Sequence, residues 1–138
     1  AVSRSEFWAM LATLRQKGIT ILVSTSYMDE ATRCERIAMM DHGHILRVGT
    51  PDELVAGLGE NLYNAVSTDM FGLLSALRIL PEVTDCYTFG ATLHVVGSDR
   101  FDPAEAERRL HREGISDARI HPAKGNIEDL FIKLAGNE

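Results

Sequence analysis

The chain has 138 residues, 45% of them hydrophobic and 25% charged, proportions typical of folded globular domains, so disorder, a collagen-like fibre and a disulfide scaffold are excluded. Fourteen Lys and Arg against twenty Asp and Glu leave a net charge of -6, the wrong sign for a surface that covers nucleic acid phosphates. Two cysteines, Cys34 and Cys86, each inside an apolar-periodic segment, read as buried thiols in a reducing compartment. No run approaches the roughly 18–20 apolar residues of a membrane-spanning helix, and Ala1-Val2-Ser3-Arg4 lacks the pattern of a signal peptide.

In chain order, Phe7, Met10, Leu11 and Leu14 fall at i, i+3, i+4 and i+7 and predict a helix over residues 4–17, with Ser3 or Ser5 as its cap and Gly18 as its end. Ile19-Thr20-Ile21-Leu22-Val23 is a β-branched run without alternation, the pattern of a strand buried on both faces. A short helical stretch over Tyr27–Ala31 follows. Arg36–Asp41 and Ile45–Val48 flank His42-Gly43-His44 and predict a hairpin. Thr50 then caps a helix with Pro51 at its first position and Asp52 and Glu53 in its first turn.

Gly57-Leu58-Gly59 marks the predicted domain boundary, dividing the chain into residues 1–58 and 59–138. Beyond it come a strand over 62–67, a helix with Met70, Leu73, Leu74 and Leu77 on one face, and a hairpin of 83–88 and 92–96 around Phe89-Gly90-Ala91. A helix from Asp102-Pro103 to about His111, a strand over 118–121, and a last helix bearing Ile127, Leu130, Phe131 and Leu134 complete the chain. The order β-α-β-β-α-β is the split βαβ, or ferredoxin-like, arrangement. Residues 62–135 are enough for a small complete core, whereas 1–58 offer a strand that needs neighbours, as if at the end of a larger domain. The overall class is therefore mixed: α/β in the first part and α+β in the second.

Several motifs resemble the C-terminal end of an ABC transporter ATP-binding domain. They are Ile21–Ala31, then Cys34-Glu35-Arg36-Ile37-Ala38, Gly43-His44-Ile45 and Gly49-Thr50-Pro51-Asp52-Glu53-Leu54, in the family's order and spacing. Residues 3–17 resemble the helix after that family's D-loop. Tyr27-Met28-Asp29-Glu30-Ala31 and the terminal Asn126-Ile127-Glu128-Asp129-Leu130-Phe131 resemble the subfamily of drug and polysaccharide exporters.

The resemblance implies a C-terminal fragment of an incomplete P-loop ATPase domain followed by an accessory domain, in a subunit that couples ATP binding and hydrolysis to export. It implies ATP and magnesium as cofactors of the intact parent, with none held by this fragment. The implied partners are a membrane permease and a second ATP-binding subunit in a homodimer at the cytoplasmic face of the plasma membrane, with no nucleic acid and no direct membrane insertion. The sequence contains no Gly-x-x-x-x-Gly-Lys-Ser/Thr phosphate loop, so the chain alone is expected neither to bind nor to hydrolyse ATP. Ser26 stands where the family carries its switch histidine, and a neutral hydroxyl is a poor substitute for an imidazole that orients water at a γ-phosphate. The bland reading of Ser26 is a cap for the helix that follows.

His42 and His44 flank a turn glycine, a geometry that disfavours a metal. Arg108, Arg109 and Arg112 interleave with Glu105, Glu107 and Glu113, which predicts a solvated, paired helix face. Met70, Phe71 and Gly72 open a helix where small domains of this type can take a ligand, which keeps a small-molecule sensor or a dimerisation module as alternatives.

Overall fold

The computed structural model describes residues 2–59 and 61–136. It is a mixed α/β structure with two sheets and two separate hydrophobic cores.

The first helix, α1 (Arg4–Gln16), starts with a capping box in which Glu6 N donates to Ser3 Oγ at 3.2 Å and Ser3 N donates to Glu6 Oε2 at 2.9 Å. The predicted apolar stripe is present, yet no residue of α1 is buried, and Phe7 and Met10 are exposed. Polar ties hold it in place: Arg4 Nε lies 2.7 Å from Glu30 Oε1 and Arg15 Nη1 3.0 Å from Glu35 Oε1.

The predicted strand at Ile19–Val23 does not form. This segment has no ladder partner among the described residues, and Leu22 is 99% exposed. A lone extended run has nothing to satisfy its backbone groups but water, so β-propensity by itself makes no strand.

After the single turn α2 (Met28–Ala31), strands β1 (Ile37–Asp41) and β2 (His44–Gly49) pair antiparallel. His42 and Gly43, with φ of 45° and 80°, make the two-residue turn between them, whose twist suits a hairpin. Helix α3 (Pro51–Ala56) begins with a second capping box, Thr50 with Glu53.

The larger sheet is built from β3 (Leu62–Val66), β4 (Val83–Phe89), β5 (Thr92–Gly97) and β6 (Arg119–Pro122), in the order β4-β5-β3-β6 with every pair antiparallel. The pairing of β4 with β5 is interrupted by a bulge between Val83 and Asp85. Two helices, α4 (Met70–Arg78) and α5 (Pro103–Arg112), bury the core of Ala65, Leu73, Leu77, Leu93, Val95 and Leu110. Residues alternate along the strands, so Leu93 and Val95 enter this core while His94 turns to the opposite side.

The last helix, α6 (Ile127–Ala135), does not add to that core. Its Ile127 and Leu130 join Ile37, Met39 and Leu54, with Met28, Ala31 and Leu46 packed around them. The helix thus completes the first core although it follows the second in sequence. The main chain crosses between the two cores twice, once before β3 and once after β6.

Packing is close where β5 ends. A Cβ on Gly97 would lie 2.6 Å from the Cβ of buried Phe101, whose ring meets Tyr63 with centroids 5.0 Å apart. Gly97→Ala should therefore destabilise the fold by about 1–3 kcal/mol. In urea the unfolding midpoint is expected to fall with an unchanged slope, and a midpoint equal to wild type would refute the packing account.

Candidate functional site

Ser26 is exposed, at a bend immediately before α2. It is not the cap: the N-cap position belongs to Tyr27, which makes no side-chain cap bond. Thr25 shapes the loop instead. Its Oγ1 accepts from Tyr27 N at 3.0 Å and donates to Glu30 Oε2 at 2.7 Å. The Thr25 hydrogen bond, followed by that from Arg4, holds the Glu30 carboxyl below its usual range. Arg4 also lies 4.7 Å over the Tyr27 ring, so α1 is tied to the loop by the same guanidinium. The arrangement fixes the backbone on both sides of Ser26 and leaves its side chain facing outward.

A second group of polar side chains lies where α6 meets the larger sheet. Asp129 is 1% exposed and His94 4%. Tyr87 Oη donates to Asp129 Oδ1 at 2.7 Å, and His94 Nδ1 bonds to the same oxygen. The other oxygen, Oδ2, accepts from Asn126 N at 2.9 Å, and Asn126 Oδ1 accepts from Asp129 N at 3.0 Å. Asp129 is thus the acidic member of a third capping box and also the acceptor for two side chains of the sheet. Since the carboxylate accepts, His94 carries its proton on Nδ1. Phe89 stacks on the His94 ring at 4.0 Å between centroids and 12° between planes. Burial, then the bond to Asp129, pushes the Tyr87 phenol well above its ordinary range. With Asp129 and His94 buried and Tyr87 half-buried, the group is arranged to hold elements together.

Asp129 belongs to the terminal Asn126–Phe131 motif of the sequence, whereas its partners Tyr87 and His94 lie in no motif. The sequence shows only a histidine flanked by two apolar residues, Leu93 and Val95; its pairing in register with Tyr87 comes from the fold.

The other candidates serve local structure. Gly72 N donates to Asp69 Oδ1 at 2.9 Å, so Asp69 itself fills the start of α4, while Phe71 is 81% exposed. Arg108 and Arg112 pair with Glu105 at 2.8 and 3.4 Å, and Arg109 with Glu113 at 3.2 Å, giving the paired face that the charge pattern predicts. His42 Nδ1 sits 3.0 Å from Asp41 Oδ2 in the hairpin turn. Cys86 is buried and its thiol is pushed up to about 11, chiefly by desolvation. No helix among the described residues is long and apolar enough to cross a membrane.

No protein-family model matches the sequence. Individual proteins do. The chain is 30% identical over 98% of its length to the probable multidrug ABC transporter ATP-binding protein YbhF of Escherichia coli, covering 23% of that protein. It is 28% identical over 98% of its length to the daunorubicin/doxorubicin resistance ATP-binding protein DrrA of Streptomyces peucetius, covering 42%. It is 30% identical over 99% of its length to the Nod factor export ATP-binding protein I of Bradyrhizobium diazoefficiens, covering 43%. The chain therefore spans about a quarter to under a half of the curated relatives it matches.

Over nearly its whole length the chain is homologous to ABC transporter ATP-binding proteins. Within that class the relatives carry the names of drug-resistance and export proteins, the subfamily that the Tyr27–Ala31 and Asn126–Phe131 motifs resemble.

The half-buried phenol of Tyr87 sets a pH dependence. Unfolded, Tyr87 ionises near pH 10; folded, it keeps its proton to higher pH. Above pH 10 the native state thus binds more protons than the unfolded one, and stability falls as pH rises. Tyr87→Phe should flatten this alkaline loss between pH 9 and 11 in urea titrations. A variant that loses stability as steeply as wild type over that range would contradict the assignment.

Proposed function

We propose that this chain is the C-terminal part of the ATP-binding subunit of an ABC exporter. The observation that carries the reading is that residues of both cores align together, over 98–99% of the chain, with ATP-binding proteins of drug and Nod factor export. The whole subunit would couple ATP binding and hydrolysis to export through a membrane permease, working as a pair with a second ATP-binding subunit at the cytoplasmic face of the plasma membrane.

In this reading residues 1–58 end the ATPase domain, and residues 59–138 form an accessory unit that reaches back through α6. The ferredoxin-like assignment of the accessory unit is supported by its β-α-β-β-α-β element order and its strand order β4-β5-β3-β6. Ser26 takes the switch-histidine position. Its place is supported by the preceding apolar run, the Asp29-Glu30-Ala31 helix behind it, and its outward exposure.

The residues present do not make a nucleotide site by themselves. The sequence has no phosphate loop, and Ser26 brings a short neutral hydroxyl to a position where a charged group would stabilise phosphoryl transfer. ATP and magnesium, when bound to the intact subunit, supply the transferable phosphoryl group and its charge neutralisation. This chain contributes a fixed backbone at 25–31, held by Thr25 and Glu30.

Two measurements test the proposal. The chain alone should turn over no Mg-ATP, and turnover by the pure chain would overturn the fragment reading. In the intact subunit, Ser26→His should raise kcat by about tenfold or more with KM little changed. An unchanged kcat would remove Ser26 from the switch position.

A further inference from the structure

Among the described residues, the side-chain hydrogen bonds joining the larger sheet to the elements of the first core all end on one carboxylate, that of Asp129. The two cores are separate apolar clusters, and the main chain crosses between them twice. Where those crossings meet, a Cβ on Gly125 would overlap the Leu58 side chain, so little more than backbone separates them.

From this we infer that Asp129, His94 and Tyr87 form a conformational latch. Closed, it sets the sheet unit against the first turn of α6. Open, the sheet unit turns about the two crossings with both cores still folded. The latch also has a route to the Ser26 loop. Its carboxylate stands in the first turn of α6, whose Ile127 and Leu130 pack in one cluster with Met28 and Ala31 of α2, which begins two residues after Ser26. Closing the latch therefore orders α2, and opening it loosens the loop. Two features favour a switch over simple glue. The contact is polar and buried, so it is held strongly when complete and becomes costly when one partner is lost. It also joins clusters that do not share apolar side chains, so its loss need not unfold either one. The inference is independent of the transporter reading.

The charged groups that act on the Tyr87 phenol are acidic. Asp85 of β4 and Glu128 of α6 both act on the Tyr87 phenol, and His94 is the one basic group bonded to Asp129. Removing His94 thus leaves a carboxylate in an acidic surrounding with one side-chain donor.

Amide hydrogen exchange on the full chain tests the latch. The reporters are the amides of Glu30, Ala31, Arg33 and Cys34, which bond to carbonyls of residues 27–31. In Tyr87→Phe/His94→Leu their exchange should rise by about tenfold or more, while amides of β1 and of β5 stay within about twofold of wild type. Tyr87→Phe alone keeps the His94 bond and should give a smaller rise at the same amides. Leu73→Ala, in the sheet core, should raise exchange in the sheet without reaching residues 30–34. Unchanged exchange at residues 30–34 would overturn the latch, as would a uniform rise across both cores. If the double variant does not fold, the contrast between Tyr87→Phe and Leu73→Ala decides: equal effects at residues 30–34 would overturn the proposal.

Discussion

A carboxylate removed from water has to be met by donors, and the arrangement of Asp129 follows from that requirement. One of its oxygens faces the start of its own helix and takes the backbone N–H of Asn126, while the other faces the sheet and takes Tyr87 and His94. Leaving either oxygen without a donor would cost more than a typical surface bond returns. The first turn of α6, the register of β4 with β5, and the side of the sheet that turns away from α4 and α5 are consequently bound to one another.

The same residue explains why two small cores behave as one chain. Each is modest, and the first would be smaller still without Ile127 and Leu130, which arrive from the far end of the sequence. Burial of these side chains supplies the non-directional attraction, while the carboxylate supplies direction. Apolar packing holds α6 to the first core, and hydrogen bonding decides which way its first turn points. By contrast, α1 buries no residue and is held by ion pairs to Asp29, Glu30 and Glu35, of which the exposed ones are worth little in water.

Much of the fold was legible from local pattern. The hairpin at 37–49, the capped helix from Pro51, and the helix with Leu73 and Leu77 inward all follow from turn chemistry and periodicity, which act over a few residues. What periodicity does not encode is the identity of the partner. It finds the apolar side of α6 but not the core that receives it. It finds the stripe on α1 although none of that helix is buried, and it credits Ile19–Val23 with a strand that lacks anything to pair with. At the site, Ser26 was singled out by resemblance alone, whereas the residue that organises its loop is Thr25, one position earlier. The Tyr87–His94–Asp129 contact joins residues 35 and 42 positions apart, beyond the reach of any local signal.

The strand order carries a further consequence for behaviour at high concentration. With β5 and β3 in the middle, β4 and β6 are left with open sides where another chain could add. Both are blunted: β4 by its bulge and the exposed Asp85, β6 by its four-residue length and by Pro122, which has no N–H to offer. A sheet with such rims resists growing into ribbons. Side chains meet part of each rim as well, Arg78 Nε donating to Cys86 O and Ile120 N donating to Glu107 Oε2, so the larger sheet can remain a discrete body in a crowded compartment.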